Sequence, residues 1–246
     1  MSRVTNSMDK SSADVNRYAD ISNNPLHTVT FTSFALGTVL GLFLGLIKVV
    51  KMKNLNAYIV FLCFFHFMEY FITAKYNPLK VNQDSFLLNN GSVYILCHLI
   101  ATLEYVIEYI FYPNIKVTGH SKFRFSIIVA GYLCISAGQA IRSLAMSTAG
   151  KSFSHVLQTK KKKDHTLIQS GVYQWFRHPS YFGFFWWALG TQMILLNPVS
   201  FTLFAVVLWK FFHDRIKTEE IYLIKFFGDD YIKFKTCVPV RIPFIE

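Results

Sequence analysis

Gly171-Val-Tyr-Gln-Trp-Phe-Arg177-His178-Pro179-Ser-Tyr181-Phe-Gly183 places a cation, an imidazole and a phenol within five residues, and it leads directly into the uncharged segment 184–197. Pro179 fixes its own φ and restricts His178 to extended conformations, so we predict a helix that begins near Pro179. The free backbone N–H groups of that helix start would lie beside Arg177 and His178 and could bind an anionic ligand. A basic anchor at a membrane surface would explain Arg177 alone.

Composition indicates an integral membrane protein. Of the 246 residues, 52% are hydrophobic, 17% are aromatic and only 16% are charged, which is not the balance of a soluble domain. The net charge of +11 would suggest nucleic acid for a soluble protein, but these cations flank long apolar segments. Membrane lipids with anionic headgroups are therefore the expected partner, and nucleic acid is not. The four cysteines have no CxxC spacing, so we expect neither a disulfide framework nor a metal site.

Four apolar segments are each long enough to cross a bilayer as a helix. They are Thr28–Ile47, Leu55–Ala74, Val93–Phe111 and Phe125–Met146. Residues 1–24 are polar and lack the apolar core of a cleaved signal peptide, so we expect them to form a disordered tail. The chain thus divides into this tail, a four-span membrane region at 25–147 and a further region at 148–246.

Two shorter apolar segments follow, separated by Asn197-Pro198. Each is short for a full crossing, so we expect them to extend over about 179–215 as a tight helical hairpin. A hairpin returns the chain to the face that it left, which would bring residues 177–181 next to residues 213–220. The predicted fold class is therefore all-α, a polytopic membrane protein with about six transmembrane helices.

The distribution of basic residues suggests which side of the membrane this face occupies. Thirteen of the 25 Lys and Arg fall in residues 148–183 and 209–246. The positive-inside tendency therefore places this face, and both termini, in the cytosol. The opposite face also carries three basic residues, Lys48, Lys51 and Lys53. They weaken this assignment of the cytosolic face but do not reverse it.

Three carboxylates fall inside the predicted spans. Glu69, Glu104 and Glu108 must be paired, protonated or directed towards a wet cavity, because an unpaired charge in hydrocarbon is costly. Interhelical bonds, with Arg142 as one candidate partner, and a functional cavity are both consistent with the sequence. A transporter pathway built from these residues is a non-enzymatic alternative.

A glycine face marks the first span. Gly37, Gly41 and Gly45 recur every four residues, a small-residue pattern that permits close approach of another helix. That helix could belong to the same chain or to a second copy in a homodimer. The general abundance of glycine in membrane helices is the other explanation.

A set of short motifs covers the chain from about Asn24 to Ile245. They are Asn77-Pro-Leu-Lys, Ser85-Phe-Leu-Leu-Asn-Asn-Gly, Thr148-Ala-Gly-x-Ser-Phe-Ser-His155, the 171–183 stretch, Gly190-Thr-Gln, Asn197-Pro198 and Glu219-Glu220. Together they resemble the isoprenylcysteine carboxyl methyltransferase family, and its fungal members most closely. The Arg-His-Pro-x-Tyr core alone is less specific, since phospholipid methyltransferases and sterol reductases have similar motifs.

The resemblance implies methyl transfer from S-adenosyl-L-methionine to the free α-carboxylate of a C-terminal farnesyl- or geranylgeranyl-cysteine, on proteins already trimmed after CaaX prenylation. It implies an endoplasmic reticulum membrane location, Ras-like GTPases as substrates and, for a fungal protein, prenylated peptide pheromones. Arg215 then belongs to the substrate side. The cofactor-binding residues carried over from the family pattern are Gln158, His165, Thr166, Leu167, Ile168, Tyr173, His178, Pro179, Ser180, Tyr181 and Glu219.

The required chemistry agrees with these roles. A carboxylate acceptor is ionised at cytosolic pH and needs no general base, so the enzyme must mainly orient it and exclude water. A guanidinium aligns a carboxylate in bidentate fashion, which favours Arg215 over any nearby lysine as the clamp. Glu219 suits the ribose hydroxyls or the amino group of the cofactor. Arg215 and Glu219 are therefore the candidate catalytic residues.

Two further features are expected around the site. The aromatic run 184–187 suggests a prenyl slot in the gap between the hairpin and the inner spans. The aromatic and basic closing segments 222–227, Tyr231 and 238–245 are expected to cover the site as a lid.

Two other enzyme classes remain as alternatives. A phospholipid N-methyltransferase would use the same cofactor but would need a base for its amine acceptor. A sterol-type reductase that shares the Arg-His-Pro-x-Tyr core would bind NADPH instead.

Overall fold

The computed structural model describes Ser22 and residues 24–116, 121–161 and 165–246. This part of the chain is all-helical and contains no strand. Most of the predicted tail, residues 1–24, lies outside the described residues. The helices are α1 (Leu26–Leu46), α2 (Lys53–Tyr76), α3 (Ser92–Phe111), α4 (Pro113–Lys116), α5 (Lys122–Ala149), α6 (Pro179–Leu195), α7 (Pro198–Phe227) and α8 (Asp229–Cys237), with short 3₁₀ turns at Gln83–Phe86, Gly150–Ser152 and Gly171–Gln174.

Four helices are long and apolar enough to cross a membrane, namely α1, α2, α3 and the α5 segment. They coincide with the four predicted spans to within a few residues at each end, which confirms those predictions. Helix α1 has no buried residue and packs on α2, so most of its surface is left to face lipid.

Helices α5 and α6 form the closest helix pair of the bundle. A methyl carbon added at Gly138 would lie 2.5 Å from the carbonyl oxygen of Gly183, and one added at Gly190 would lie 2.8 Å from that of Gly131. The two glycines on each helix are seven residues apart, so they recur on one face. Because the two backbones are in contact at both pairs of glycines, the position of α6 is set by α5.

Helices α6 and α7 form the predicted hairpin. Leu196 takes a left-handed conformation with φ 55° after α6, and Pro198 opens α7. Helix α7 continues without a break past Arg215 and has 30 residues, a length of about 45 Å that exceeds the ~30 Å of a hydrocarbon core. We call the end of the bundle that carries the start of α6 and the second half of α7 the pocket end.

Charged residues from α3 and α4 hold the hairpin turn at the other end. Lys116 Nζ donates to the carbonyl oxygens of Leu195 and Leu196 at 2.9 and 2.8 Å, and it lies 2.6 Å from Glu108 Oε2. Glu104 accepts hydrogen bonds of 2.8 and 2.6 Å from two backbone N–H groups at the start of α7. These contacts satisfy the free ends of both helices. Glu104 and Glu108 are thus paired, but with partners other than Arg142.

The apolar core lies between α2 and the hairpin. Trp187 is 1% exposed and stacks on Phe65 with ring centroids 4.3 Å apart. The chain after α8 joins the same core through Val240 and Ile242, and Trp209 Nε1 donates to the carbonyl oxygen of Pro243 at 2.9 Å. Val240, Ile242 and Ile245 are buried in this core, whereas Phe244 is 91% exposed and Val238 packs with Tyr231 and Phe234. That residues 238–245 form a lid over the site stays a prediction.

Candidate active site

The candidate site begins where the chain turns into α6. His178 is the N-cap residue with φ −126° and ψ 68°, and Pro179 is the first helical residue, as predicted. The His178 ring stacks on that of Tyr181 at 5.5 Å. The first turn of α6 therefore holds an imidazole and a phenol in a fixed arrangement.

Arg177 is held by partners inside the protein. Its Nε lies 2.6 Å from Glu220 Oε1, and its Nη1 donates to the carbonyl oxygens of Lys235 and Val238 at 3.0 and 2.8 Å. The side chain is buried, and its Nη2 has no hydrogen-bond partner among the described residues. Arg177 therefore joins the start of α6 to α7 and α8, and it is not a free cation at a membrane surface.

Glu220 is the anion at the centre of this cluster. Burial alone would raise the pKa of its carboxyl group, but hydrogen bonds from His178 and Lys235 and the charge of Arg177 lower the pKa to about 2. His178 Nε2 lies 3.2 Å from Oε1, and Lys235 Nζ lies 2.6 Å from Oε2. Glu220 is thus ionised and fixes the relative positions of three segments at the pocket end.

A polar cleft of about 680 Å³, partly open to solvent, lies beside this cluster. Ten of the eleven predicted cofactor-binding residues line it. They are His165, Thr166, Leu167, Ile168, Tyr173, His178, Pro179, Ser180, Tyr181 and Glu219. The fold therefore brings together residues from the 165–168 segment, the start of α6 and the second half of α7.

Gln158 is the predicted cofactor residue that does not line this cleft. It lines a smaller adjoining cleft together with His165 and Glu219, which belong to both. Its Nε2 donates to Ser154 Oγ at 2.9 Å. Gln158 thus lies at the border of the site.

Arg215 lies beside the cleft, next to the start of α6. Its Nε donates to the Tyr181 hydroxyl at 3.2 Å, and its Nη2 donates to the carbonyl oxygen of His155 at 3.1 Å. Glu219 Oε2 is 3.7 Å from Nε and accepts a hydrogen bond from the Tyr181 hydroxyl. Arg215, Tyr181 and Glu219 therefore form one hydrogen-bonded group.

Two titratable side chains around the cleft are neutral near pH 7. Burial lowers the pKa of His155 to about 4, although the nearby Glu69 raises it and Arg142 lowers it further. Burial also raises the pKa of Tyr173, and the charge of Glu219 adds to that effect. The Tyr173 hydroxyl donates to the carbonyl oxygen of Ala145 at 3.3 Å.

An apolar groove of about 640 Å³ lies between α3 and the hairpin. It is lined by Asn90, Val93, Tyr94, Cys97, His98, Phe184, Ala188, Phe204, Val207, Leu208 and Phe211. Of the aromatic run 184–187, only Phe184 lines it, and Phe184, Phe185 and Trp187 are all buried in the core. On α7, Phe211 precedes Arg215 by four residues, so the groove and Arg215 share one helix face.

Some cleft residues were not among the predicted cofactor-binding residues. Ala149 at the end of α5 and Ser152, Phe153 and Ser154 in the turn after it form one group, and Leu223, Phe227, Tyr231 and Phe234 come from α7 and α8. The first group falls within the Thr148–His155 motif, which could have marked it. Phe227 and Tyr231 were expected in the lid, and they do form part of the cleft wall.

The helical membrane fold and the polar cleft at its pocket end define an integral membrane protein whose ligand site is built from helix ends and loops. Known proteins give this architecture a chemical identity. A family model described as the isoprenylcysteine carboxyl methyltransferase (ICMT) family matches residues 130–225.

Whole-chain relatives extend that match. The chain is 54% identical over 232 residues to the protein-S-isoprenylcysteine O-methyltransferase of Saccharomyces cerevisiae. The aligned region covers 94% of this chain and 97% of the relative. The chain is 45% identical over 190 residues to the Homo sapiens protein of the same name, over 77% of this chain and 64% of the relative. A solved structure of the eukaryotic intramembrane Ras methyltransferase ICMT is similar with a TM-score of 0.84 at 34% identity, over 89% of this chain and 77% of that one.

The chain belongs to the isoprenylcysteine carboxyl methyltransferase family. It is a membrane methyltransferase, and its relatives indicate isoprenylcysteine carboxyl methylation as the activity. With this identity, and with Glu104 and Glu108 engaged at the hairpin turn, the transporter alternative loses its basis.

Proposed function

We propose that this methyltransferase transfers a methyl group from S-adenosyl-L-methionine to the C-terminal α-carboxylate of a farnesyl- or geranylgeranyl-cysteine in CaaX-processed proteins. The observation that carries the proposal is the position of Arg215. It contacts Tyr181 in the wall of the polar cleft, and it lies one turn beyond Phe211 in the wall of the apolar groove. A prenylated cysteine has the matching form, with a carboxylate at one end and an apolar chain at the other.

The side chains that line the cleft fit the cofactor by their chemistry. The Glu219 carboxylate suits ribose hydroxyls or an amino group, the rings of Tyr173 and Tyr181 suit an adenine or a sulfonium, and Leu167 offers an apolar surface to a base. When bound, the cofactor supplies an electrophilic methyl group.

The chain's own residues then bind and orient the acceptor. The Arg215 guanidinium aligns the carboxylate, and its orientation is fixed by the Tyr181 hydroxyl and the His155 carbonyl. The acceptor is already ionised, so no residue has to remove a proton. Phe227 and Tyr231 in the cleft wall reduce the access of water. In this mechanism the protein contributes mainly alignment.

The apolar groove is the proposed prenyl slot. Arg215 and Phe204 are eleven residues apart on α7, a distance of about 16 Å along the helix. The groove residues Phe211, Leu208 and Phe204 follow Arg215 down one face of α7, so a chain whose carboxylate binds Arg215 can extend along them. The groove has few polar groups, as a prenyl chain requires.

We further propose the membrane arrangement that accompanies this activity. The four-span region at 25–147 supports a catalytic region at 148–246, whose hairpin 179–215 adds two crossings to give six. The clustering of Lys and Arg at the pocket end supports a cytosolic active site with both termini cytosolic. The endoplasmic reticulum membrane is the proposed location. Anionic lipids, Ras-like GTPases and, in a fungus, prenylated peptide pheromones are the proposed partners.

A homodimer through α1 is a further part of the proposal. A methyl carbon added at Gly37, Gly41 or Gly45 would meet no atom within 4 Å, so this face is free to approach a second copy. Cross-linking between chains through a cysteine at position 41 in membranes tests it, and its absence under conditions that trap a known dimer would contradict it.

The decisive experiment compares three proteins in membranes: the wild type, Arg215→Ala and Lys217→Ala. Lys217 is an exposed cation two residues further along the same helix, so it controls for the loss of charge. With labelled S-adenosyl-L-methionine and a minimal farnesylcysteine, we expect a base-labile methyl ester from the wild type and from Lys217→Ala. We expect at least about a 100-fold loss in Arg215→Ala.

Two outcomes would contradict this proposal. Equal ester formation by Arg215→Ala would remove Arg215 as the clamp while leaving the reaction. No ester from the wild type would refute the acceptor, and lipid amines would then be the acceptors to test.

The prenyl slot has a separate test. Leu208→Trp fills the groove, whereas Val206→Trp places the same large side chain at a position that is 60% exposed on the outer side of the helix. We expect Leu208→Trp to lower activity on both farnesyl and geranylgeranyl substrates and Val206→Trp to leave it unchanged. Unchanged activity in Leu208→Trp would place the prenyl chain elsewhere.

A further inference from the structure

A carboxylate inside the membrane region is connected to both sides of the proposed active site. Glu69 lies in α2 and is 1% exposed. Its Oε1 accepts from Arg142 Nε at 2.5 Å, and its Oε2 accepts from Arg142 Nη2 at 2.7 Å. This bidentate arrangement fixes the plane of the guanidinium. The ion pair is buried, so it is not weakened by solvent screening.

The first connection runs through Arg142 to the cofactor side. Arg142 Nη1 donates to Ser180 Oγ at 2.9 Å and to the Ser180 carbonyl oxygen at 3.3 Å. Ser180 is the second residue of α6 and lines the polar cleft. Glu69 thereby determines which way the guanidinium faces, and the guanidinium holds the first turn of α6.

The second connection runs through His155 to the substrate side. His155 Nδ1 lies 3.8 Å from Glu69 Oε2, and its Nε2 lies 3.5 Å from the Thr73 hydroxyl one turn along α2. The carbonyl oxygen of His155 accepts the hydrogen bond from Arg215 Nη2. The segment that orients the proposed clamp is therefore packed against Glu69.

We propose that Glu69 is a positioning residue for this methyltransferase. Through Arg142 and Ser180 it sets the cofactor cleft, and through the His155 segment it sets the guanidinium of Arg215. The inference rests on the proposed function, because it assigns Glu69 to the alignment of the two reactants. An ion pair needed only for folding could be replaced by apolar side chains at little cost, whereas alignment requires this carboxylate with two bonded oxygens.

The experiment measures KM for both substrates in Glu69→Gln and in a matched control, Glu108→Gln. Glu108 is likewise paired with a buried cation, Lys116, but at the hairpin turn, away from the cleft. Rates are normalised to folded enzyme by thermal unfolding in detergent. We expect Glu69→Gln to raise KM for S-adenosyl-L-methionine and for farnesylcysteine, each at least about tenfold, while Glu108→Gln lowers stability and leaves both KM values unchanged.

A second variant keeps the test decisive if Glu69→Gln does not fold. Arg142→Lys retains the charge but not the bidentate geometry, so it should raise KM for the cofactor more than KM for farnesylcysteine. The inference is overturned if the folded variants keep wild-type KM values, since a structural role alone would change only the amount of active enzyme. A wild-type protein that forms no ester would instead overturn the proposed function.

Discussion

Gly138→Ala should disable the enzyme by moving α6. The added methyl carbon would lie 2.5 Å from the carbonyl oxygen of Gly183 and 2.7 Å from the backbone nitrogen of Trp187. Ordinary van der Waals contact begins at 3.4 Å, so the first contact is 0.9 Å too short. Both obstructing atoms belong to the backbone and cannot turn away as a side chain would. The whole of α6 must therefore shift by about 1 Å.

The size of the effect follows from that displacement. Overpacking of this kind costs about 1–3 kcal/mol, against a gain of at most ~1 kcal/mol from the better helix propensity of alanine. The first turn of α6 carries Ser180 and Tyr181, and a misplacement of about 1 Å at a reacting site can cost about 100-fold in rate. We expect a lower unfolding temperature in detergent and at least about a tenfold loss of methyl-transfer activity in the folded fraction.

Two variants separate this explanation from a general intolerance of substitution in α5. Ala140→Leu adds a larger side chain on the exposed face of the same helix and should behave as the wild type. Gly131→Ala adds its methyl group about 10 Å further from the pocket end, where the nearest atom is the Ile194 side chain at 2.8 Å. It should lower stability with a smaller loss of activity. Wild-type stability and activity in Gly138→Ala would refute the proposed contact between α5 and α6.

Three further predictions concern charged and titratable groups. Burial lowers the pKa of His155 to about 4, so the folded protein favours the neutral imidazole over the charged one. The stability of the folded protein should therefore be greatest above the unfolded pKa of about 6.5 and should fall as the pH drops from about 6.5 to 4. In His155→Gln, the thermal unfolding temperature should depend less on pH in this range. Glu220→Gln leaves Arg177 buried without its anion and should destabilise the protein by about 3–5 kcal/mol. Lys235 is a partly exposed partner of Glu220, so Lys235→Met should cost about 1 kcal/mol or less. Equal unfolding temperatures for these two variants would contradict this prediction. Lys116→Met should also cost about 3–5 kcal/mol, because it leaves the carbonyl groups of the hairpin turn without their hydrogen-bond donor and Glu108 without its cation. An unchanged thermal unfolding temperature would show that the turn does not need the cation.

Local chemistry made several features predictable from the sequence. Runs of about twenty apolar residues specify membrane helices because the backbone must satisfy its own hydrogen bonds in hydrocarbon. The start of α6 followed from the fixed φ of Pro179, and the hairpin followed from Asn197-Pro198 between two short apolar segments. The need to pair Glu69 was also predictable, and Arg142 was among the candidate partners.

Other features required the packed helices. The 171–183 stretch suggested an anion-binding helix start beside Arg177 or a basic membrane anchor at Arg177. The partners of Arg177 are the Glu220 carboxylate and the Lys235 carbonyl oxygen, from segments more than forty residues away, and the sequence did not indicate them. The burial of Val240 and Ile242 in the core beside the hairpin was likewise not visible in the aromatic and basic composition of residues 238–245. A side chain's partners depend on which helices are neighbours, and single-sequence patterns do not specify neighbours.

The sequence by itself determined the membrane class, the number of long apolar helices and, through its motifs, the family. It could do so because these properties depend on residue type and spacing along the chain. Only the tertiary structure decided that Arg215 lies between a polar cleft and an apolar groove, and that Glu69 is connected to both sides of the site. Both arrangements depend on the contact between α5 and α6 at their glycines, since the distance between these two helix backbones sets the positions of the side chains at the pocket end.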